Sequence, residues 1–288
     1  MARRWPAVVF VCALLLLGVA ALALHRDTTG SDPLAESTLL GHCTPLDSPA
    51  GAAGYDDALA AFRDPDFVGA DAGLSVRLAD GRTLWMYGDT TRSGGNDHGT
   101  VRNSMVIDDG RCRRLLRTPG RDAVIPDRPD GTGYWPTSVI ASRDSLYVAA
   151  QRVREAGNDL GFVNLGPAMA TFDIEPGELP ALRSVTDFGP DDPSRARIGW
   201  GAAVADGGDG WWYVYGTRHP DGTDAFGWEA HVARTRPETV SDPGRWHYWD
   251  GEGWARRAGR SAPVIGAEGG VSQTFSVVRW DDGAEAGD

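Results

Sequence analysis

The chain has 288 residues, 41% of them apolar, and a formal net charge of −12 with no lysine among its 28 basic residues. That length holds one large domain or two small ones, and the acidic balance argues against nucleic acid and anionic membrane surfaces as partners. The missing lysine excludes Schiff-base chemistry and a P-loop lysine; codon bias in a GC-rich genome accounts for it without function.

Residues 1–24 read as a targeting segment. Arg3 and Arg4 precede an apolar run from Ala7 to Leu24, and Ala21-Leu22-Ala23 offers a small-x-small cleavage site. The run fits a signal peptide cleaved after Ala23 or a single N-terminal membrane anchor. Cys12 inside it lacks the small-residue context of a lipoprotein site. On either reading the remainder is exported, secreted or held on the outer face of the cytoplasmic membrane. Only Cys43 and Cys112 lie outside the run. In an oxidising compartment they suggest one disulfide, with two unpaired thiols as the alternative. They are too few and too far apart for structural zinc, so no metal or cofactor is expected. Residues 25–66 form a low-complexity arm, read as a linker that packs on the domain. A short helix over Tyr55 to Arg63 is expected to end at Asp64-Pro65.

Residues 67–288 read as one all-β domain, because glycine and aromatics are plentiful and long helical periodicities are absent. Its first feature is a hairpin. Ser75 to Ala79 and Thr83 to Tyr87 are strand-forming, and Asp80-Gly81 is a preferred tight turn. Asp71 and Asp89 stand nearly equidistant from that turn, so an antiparallel hairpin brings both carboxylates to its open end. Two acids facing one space is what glycoside hydrolysis uses. The plainer reading is a loop cap and a turn closer.

The pattern then repeats. An apolar strand, a polar turn and an aromatic strand recur at Thr137–Ala149 and Gly201–Gly216, each followed by further strands, and Thr274 to Gly283 begins a fourth copy. Four antiparallel strands per unit is a β-propeller blade. Three full blades and the start of a fourth fit, so the chain reads as C-terminally truncated relative to a closed propeller. At the mouth positions the second and third copies place Trp135 and Trp200, either sugar-stacking platforms or blade packing. Arg102 and Asn103 begin a strand and either bond sugar hydroxyls or form a solvated strand end. Gln273 precedes the fourth copy beside Glu268, a possible third acid or an exposed, inert glutamate. Other chemistry lacks support. There is no G-x-S-x-G or H-E-x-x-H motif, the six histidines are scattered, with His98 and His231 either meeting in a pocket or playing a structural part, and Asp206-Gly207-Gly208-Asp209-Gly210 reads as a turn rather than a calcium loop.

Gly69-Ala70-Asp71-Ala72-Gly73, Leu84-Trp85-Met86-Tyr87-Gly88-Asp89-Thr90, Asn103-Ser104 and Ser272-Gln273-Thr274-Phe275-Ser276 resemble a family first catalogued as a domain of unknown function. It is found largely in actinobacteria, and some members are assigned as endo-D-arabinanases acting on arabinogalactan and lipoarabinomannan. The resemblance runs from about Phe67 to the C-terminus. It implies a five-bladed β-propeller and places the family's catalytic acids on Asp71 and Asp89. The expectation is therefore a glycoside hydrolase cleaving furanosidic links in a cell-wall arabinan, acting as a monomer. The alternatives are a non-catalytic, envelope carbohydrate-binding propeller or an inactive truncated member.

Overall fold

The computed structural model describes residues 40–45, 54, 57, 59–93, 99–194, 196–220 and 227–279. The targeting segment lies outside these residues, as do residues 55, 56 and 58 of the expected Tyr55–Arg63 helix; residues 57 and 59–61 are helical, and the helix has ended by residue 62, before a turn at residues 65 and 66. No helix among the described residues is long and apolar enough to cross a membrane.

The fold is all-β, built as three antiparallel propeller blades. The first blade contains β1 (Thr44–Pro45), β2 (Gly69–Ala70), β3 (Leu74–Arg77), β4 (Thr83–Tyr87), β5 (Thr90–Thr91), β6 (Thr100–Val101), β7 (Ser104–Asp108) and β8 (Cys112–Leu115). Its main sheet runs β1-β8-β7-β4-β3, and β2-β5-β6 form a small ribbon beyond it. The second blade is β9 (Gly133–Ala141), β10 (Ser145–Glu155), β11 (Phe162–Asp173) and β12 (Ala181–Asp187), in the order β12-β11-β10-β9. The third is β13 (Gly199–Asp206), β14 (Trp212–Arg218), β15 (Glu229–Thr235), β16 (His247–Trp249) and β17 (Trp254–Ala255), with β18 (Pro263–Ile265) pairing with β15. The innermost strands β3, β9 and β13 pack side by side. This sets the starts of all three, and the ends of β4, β10 and β14, at one mouth.

The hairpin turn has three residues rather than two. Leu78 N donates to Arg82 O at 2.8 Å, and Gly81 takes φ 90°, a left-handed conformation that glycine adopts without a Cβ penalty. Arg82 then staples blade 1 to blade 2 at the end opposite the mouth. It pairs with Asp80 at 2.7 Å and donates to Glu175 O at 2.9 Å. The arm joins blade 1 as its fifth strand, with Thr44 opposite Arg113, Pro45 opposite Cys112, and Cys43 bridged to Cys112 as a disulfide.

One cluster fills the space between blades 2 and 3: Tyr147 and Met169 against Trp200, Trp212, Val214, Trp246 and Tyr248. A smaller one, Phe62, Tyr87, Val106 and Leu115, sits beneath the arm. The expected fourth copy is not a strand over residues 274–279. Phe275 instead packs edge-on against Tyr215 at 6.0 Å, and Thr217 donates to Gln273 O at 2.9 Å. No strand among the described residues pairs with this stretch, and a single strand leaves its backbone groups without a ladder.

Candidate active site

The ladder of blade 1 breaks at the acids. Pairing of β3 with β4 ends at Leu74 opposite Met86 and resumes at Ala70 opposite Thr90. Asp71 and Asp89 occupy the two sides of the break, joined by Asp71 N donating to Asp89 O at 3.2 Å and Gly88 N donating to Asp71 O at 3.0 Å. The hairpin thus continues past the acids into the ribbon, so they meet at a bend within the mouth rather than at an open end. Two residues make the bend. Ala72 has φ 56°, the one positive φ of a non-glycine residue among the described residues, a conformation costing about 1–3 kcal/mol and found preferentially at functional sites. Gly88 has no Cβ where the Asp71 carboxylate lies, and a Cβ there would collide with Asp71 Oδ1.

The two carboxyls have different surroundings. Asp71 is exposed. Asp89 is half-buried and accepts a hydrogen bond from Trp135 Nε1 at 2.7 Å. Burial pushes the Asp89 carboxyl above its usual 3.8, and the neighbouring Asp71 charge adds to this; the Trp135 hydrogen bond and Arg102 oppose it. Asp89 is thereby set to hold its proton to higher pH than an ordinary aspartate.

Arg102, between β6 and β7, enters this site as a charge. Its Nε stands 3.8 Å from Asp127 Oδ2 and its Nη2 3.8 Å from Glu155 Oε1. Asp127 is the residue that sequence reasoning missed. It lies in Ile125-Pro126-Asp127-Arg128-Pro129-Asp130-Gly131, which reads as an ordinary turn. Burial raises its carboxyl too, Arg102 lowers it, and Asp122 and Asp89 raise it further.

The other expected site residues divide. Asn103 is fully buried, and both its readings, sugar contact and solvated strand end, are overturned. Its Nδ2 donates to Ile125 O and Tyr134 O at 3.0 Å each, and its Oδ1 accepts from Ile125 N at 2.7 Å. It pins the loop that carries Asp127. Trp200 is 7% exposed and packs against Trp246 and Tyr248 at 6.0 and 5.3 Å, so it is blade packing and not a platform. A bulge aims it there: β13 pairs Trp200 with Gly216 and then Ala203 with Tyr215, and Gly201 takes φ 93°. Trp135 lies inside β9 rather than before it. It is half-buried, tied to Asp89 and packed edge-on to Phe162 at 4.6 Å. Gln273 is exposed on a cavity rim and Glu268 is exposed on a turn. His231 is fully buried, with Nε2 3.3 Å from Glu229 Oε2 and Nδ1 3.1 Å from Ser261 Oγ.

A cavity of about 890 Å³ opens at the same mouth between blades 2 and 3, lined in part by Gln151, Phe162, Trp200, Arg218, Trp228 and Gln273. Phe162 and Gln151, which lies opposite Trp135 in the ladder, connect it to the acid site. The arginines on its wall are neutralised. Arg218 pairs with Glu229 at 2.7 Å, Arg152 with Asp191 and Arg197 with Asp192, both at 2.9 Å. Among the described residues, no group of three or more His, Cys, Asp or Glu is arranged to hold a metal.

Comparison with known proteins is consistent with this architecture. A "putative hydrolase" of Bacteroides ovatus is similar at TM-score 0.50 and 17% identity, over 80% of this chain and 66% of its own. The sialidase of Trypanosoma rangeli is similar at TM-score 0.45 and 10% identity, over 67% of this chain and 32% of its own. The chain thus spans just under two thirds of the first and about a third of the second, and the first likeness bears on fold alone. No curated protein matches. The model of a domain of unknown function, DUF5005, matches residues 54–283, and the chain belongs to that family.

Proposed function

We propose that the protein is an exported glycoside hydrolase cleaving furanosidic links in a cell-wall arabinan, with Asp89 as general acid and Asp71 as base or nucleophile. The observation that carries this is the unlike pair at one bend: a half-buried Asp89 whose carboxyl is raised, facing an exposed Asp71. Environments that push two carboxyls apart assign them to opposite steps. Asp89 gives its proton to the leaving glycosidic oxygen. Ionised Asp71 either takes a proton from water as that water attacks the anomeric carbon, or attacks that carbon itself. A carboxyl separation of about 5 Å gives retention and one of about 6.5–9.5 Å gives inversion.

The saccharide chain crosses Trp135 and Phe162 into the neighbouring cavity, whose neutralised arginines suit an uncharged sugar. Arabinan itself rests on the motif resemblance. Export rests on the Cys43–Cys112 bridge and the N-terminal run. The second reading is an envelope propeller that binds saccharide without cleaving it, and the cavity beside the acids favours it. Incubating the protein with purified D-arabinan and arabinogalactan decides between them. Released oligosaccharides support hydrolysis. Retention on an arabinan column without product supports binding alone. Neither product nor retention removes both.

A further inference from the structure

We propose that Asp127 is a positioning residue for the acid pair, forming with Arg102 a charge couple seated over Gly133 that sets which protonation state Asp89 presents to a bound saccharide. This rests on the reading of Asp89 as the acid.

The seat is built into the backbone. A Cβ on Gly133 would come 2.6 Å from Asp127 Oδ1 and would collide with Arg102 Cδ, so both side chains lie over the bare Cα. Gly133 begins β9, two residues before Trp135, whose indole holds Asp89. Asn103 fixes the other end, since it binds the backbone of Ile125 and Tyr134 on either side of the Asp127 loop.

Arg102 is held loosely in this seat. Its Nε is buried and makes no hydrogen bond, and its ion-pair contacts are both at 3.8 Å. Asp89 feels Asp71 and Arg102 as well as its tryptophan, and Asp127 feels Arg102, Asp122 and Asp89. Glu155 competes for Arg102 from an 89% exposed side chain, where solvent leaves an ion pair little strength. Arg102 is therefore the shared cation. Drawn toward Asp127, it leaves Asp89 protonated. Released from Asp127, it favours Asp89 as the anion.

The Trp135 indole N–H reads this directly, without turnover. Its resonance is assigned in the full chain by its loss in Trp135→Phe and followed from pH 3 to 8. The parent resonance is expected to titrate with Asp89. Asp127→Asn removes a negative neighbour and frees Arg102, so the midpoint moves down. Arg102→Gln removes the cation, so it moves up. Asp127→Glu and Arg102→Lys, which keep the charges, return it toward the parent. A general loosening of the loop would shift both neutral variants alike. Shifts of the same sign, no shift, or no titration in the parent overturn the proposal. Because activity is not used, failure here leaves the hydrolase reading standing, and absence of hydrolysis leaves this titration to be judged alone.

Discussion

The first and third blades reach the same mouth with opposite contents. In blade 3 the position after the strand start holds Trp200, folded by a bulge into the aromatic cluster between blades, with Gly216 leaving room beneath its ring. In blade 1 the equivalent ground holds Asp71 and Asp89 at a break in the ladder, with a strained Ala72 and little packed over Asp71. The bulge in blade 3 turns its tryptophan into packing and buries it. The break in blade 1 leaves the Asp71 carboxyl exposed and the Asp89 carboxyl half-buried against Trp135. Shared position in a repeat therefore does not imply shared role; burial and backbone strain separate them.

The comparison predicts separable failures. Asp71→Asn should lower kcat on D-arabinan by about 10²–10⁴-fold, the range for a positioned acid or base. Its stability should stay within about 0.5 kcal/mol of the parent because the side chain is exposed. Trp200→Ala should do the reverse, lowering denaturant stability by about 3–5 kcal/mol. Removing the Cys43–Cys112 bridge, which spans a sequence separation of 69, should cost about 4 kcal/mol on the chain-entropy account, read as a lower melting temperature under reducing conditions. Asn103→Ala leaves the Ile125 N–H and two carbonyls without their partner, at a cost of about 1–3 kcal/mol. It should also loosen the Asp127 loop, read as faster amide exchange at Ile125.

The smallest effect concerns pH. The folded state holds the Asp89 proton above its usual 3.8, so this group favours folding at low pH, and that contribution is lost as pH rises through its folded value. Asp89→Asn should therefore raise the melting temperature near pH 7, and the gain should shrink below pH 3.8. A variant less stable than the parent at pH 7 would mean that Asp89 is held there for structure.

Much of blade 1 is legible in the sequence because its signals are local: alternating strands, an Asp-Gly turn, and two acids placed symmetrically about it. What was not legible depends on distant partners. Asn103 is read wrongly because its three hydrogen bonds go to residues 125 and 134, which nothing nearby announces. The length of β10 is missed because Gln151 and Arg152 interrupt its apolar run, yet Arg152 is 1% exposed and its charge is met by Asp187 and Asp191 from the end of the blade. Asp127 passes for a turn residue. The Trp200-Gly201 pair with Gly216 opposite is a bulge signature visible only once the register is known. The first strand of a fourth copy has the right residues but, among the described residues, no partner strand, and pattern alone does not supply one.

The most direct test of the blade 1 mouth as a hydrolytic site is the turnover of Asp89→Asn on purified D-arabinan, with unfolding followed on the same sample. The account predicts a loss of about 10²–10⁴-fold in a protein that still unfolds cooperatively and is no less stable at neutral pH. An Asp89→Asn protein that hydrolyses the polymer at the parental rate would contradict it.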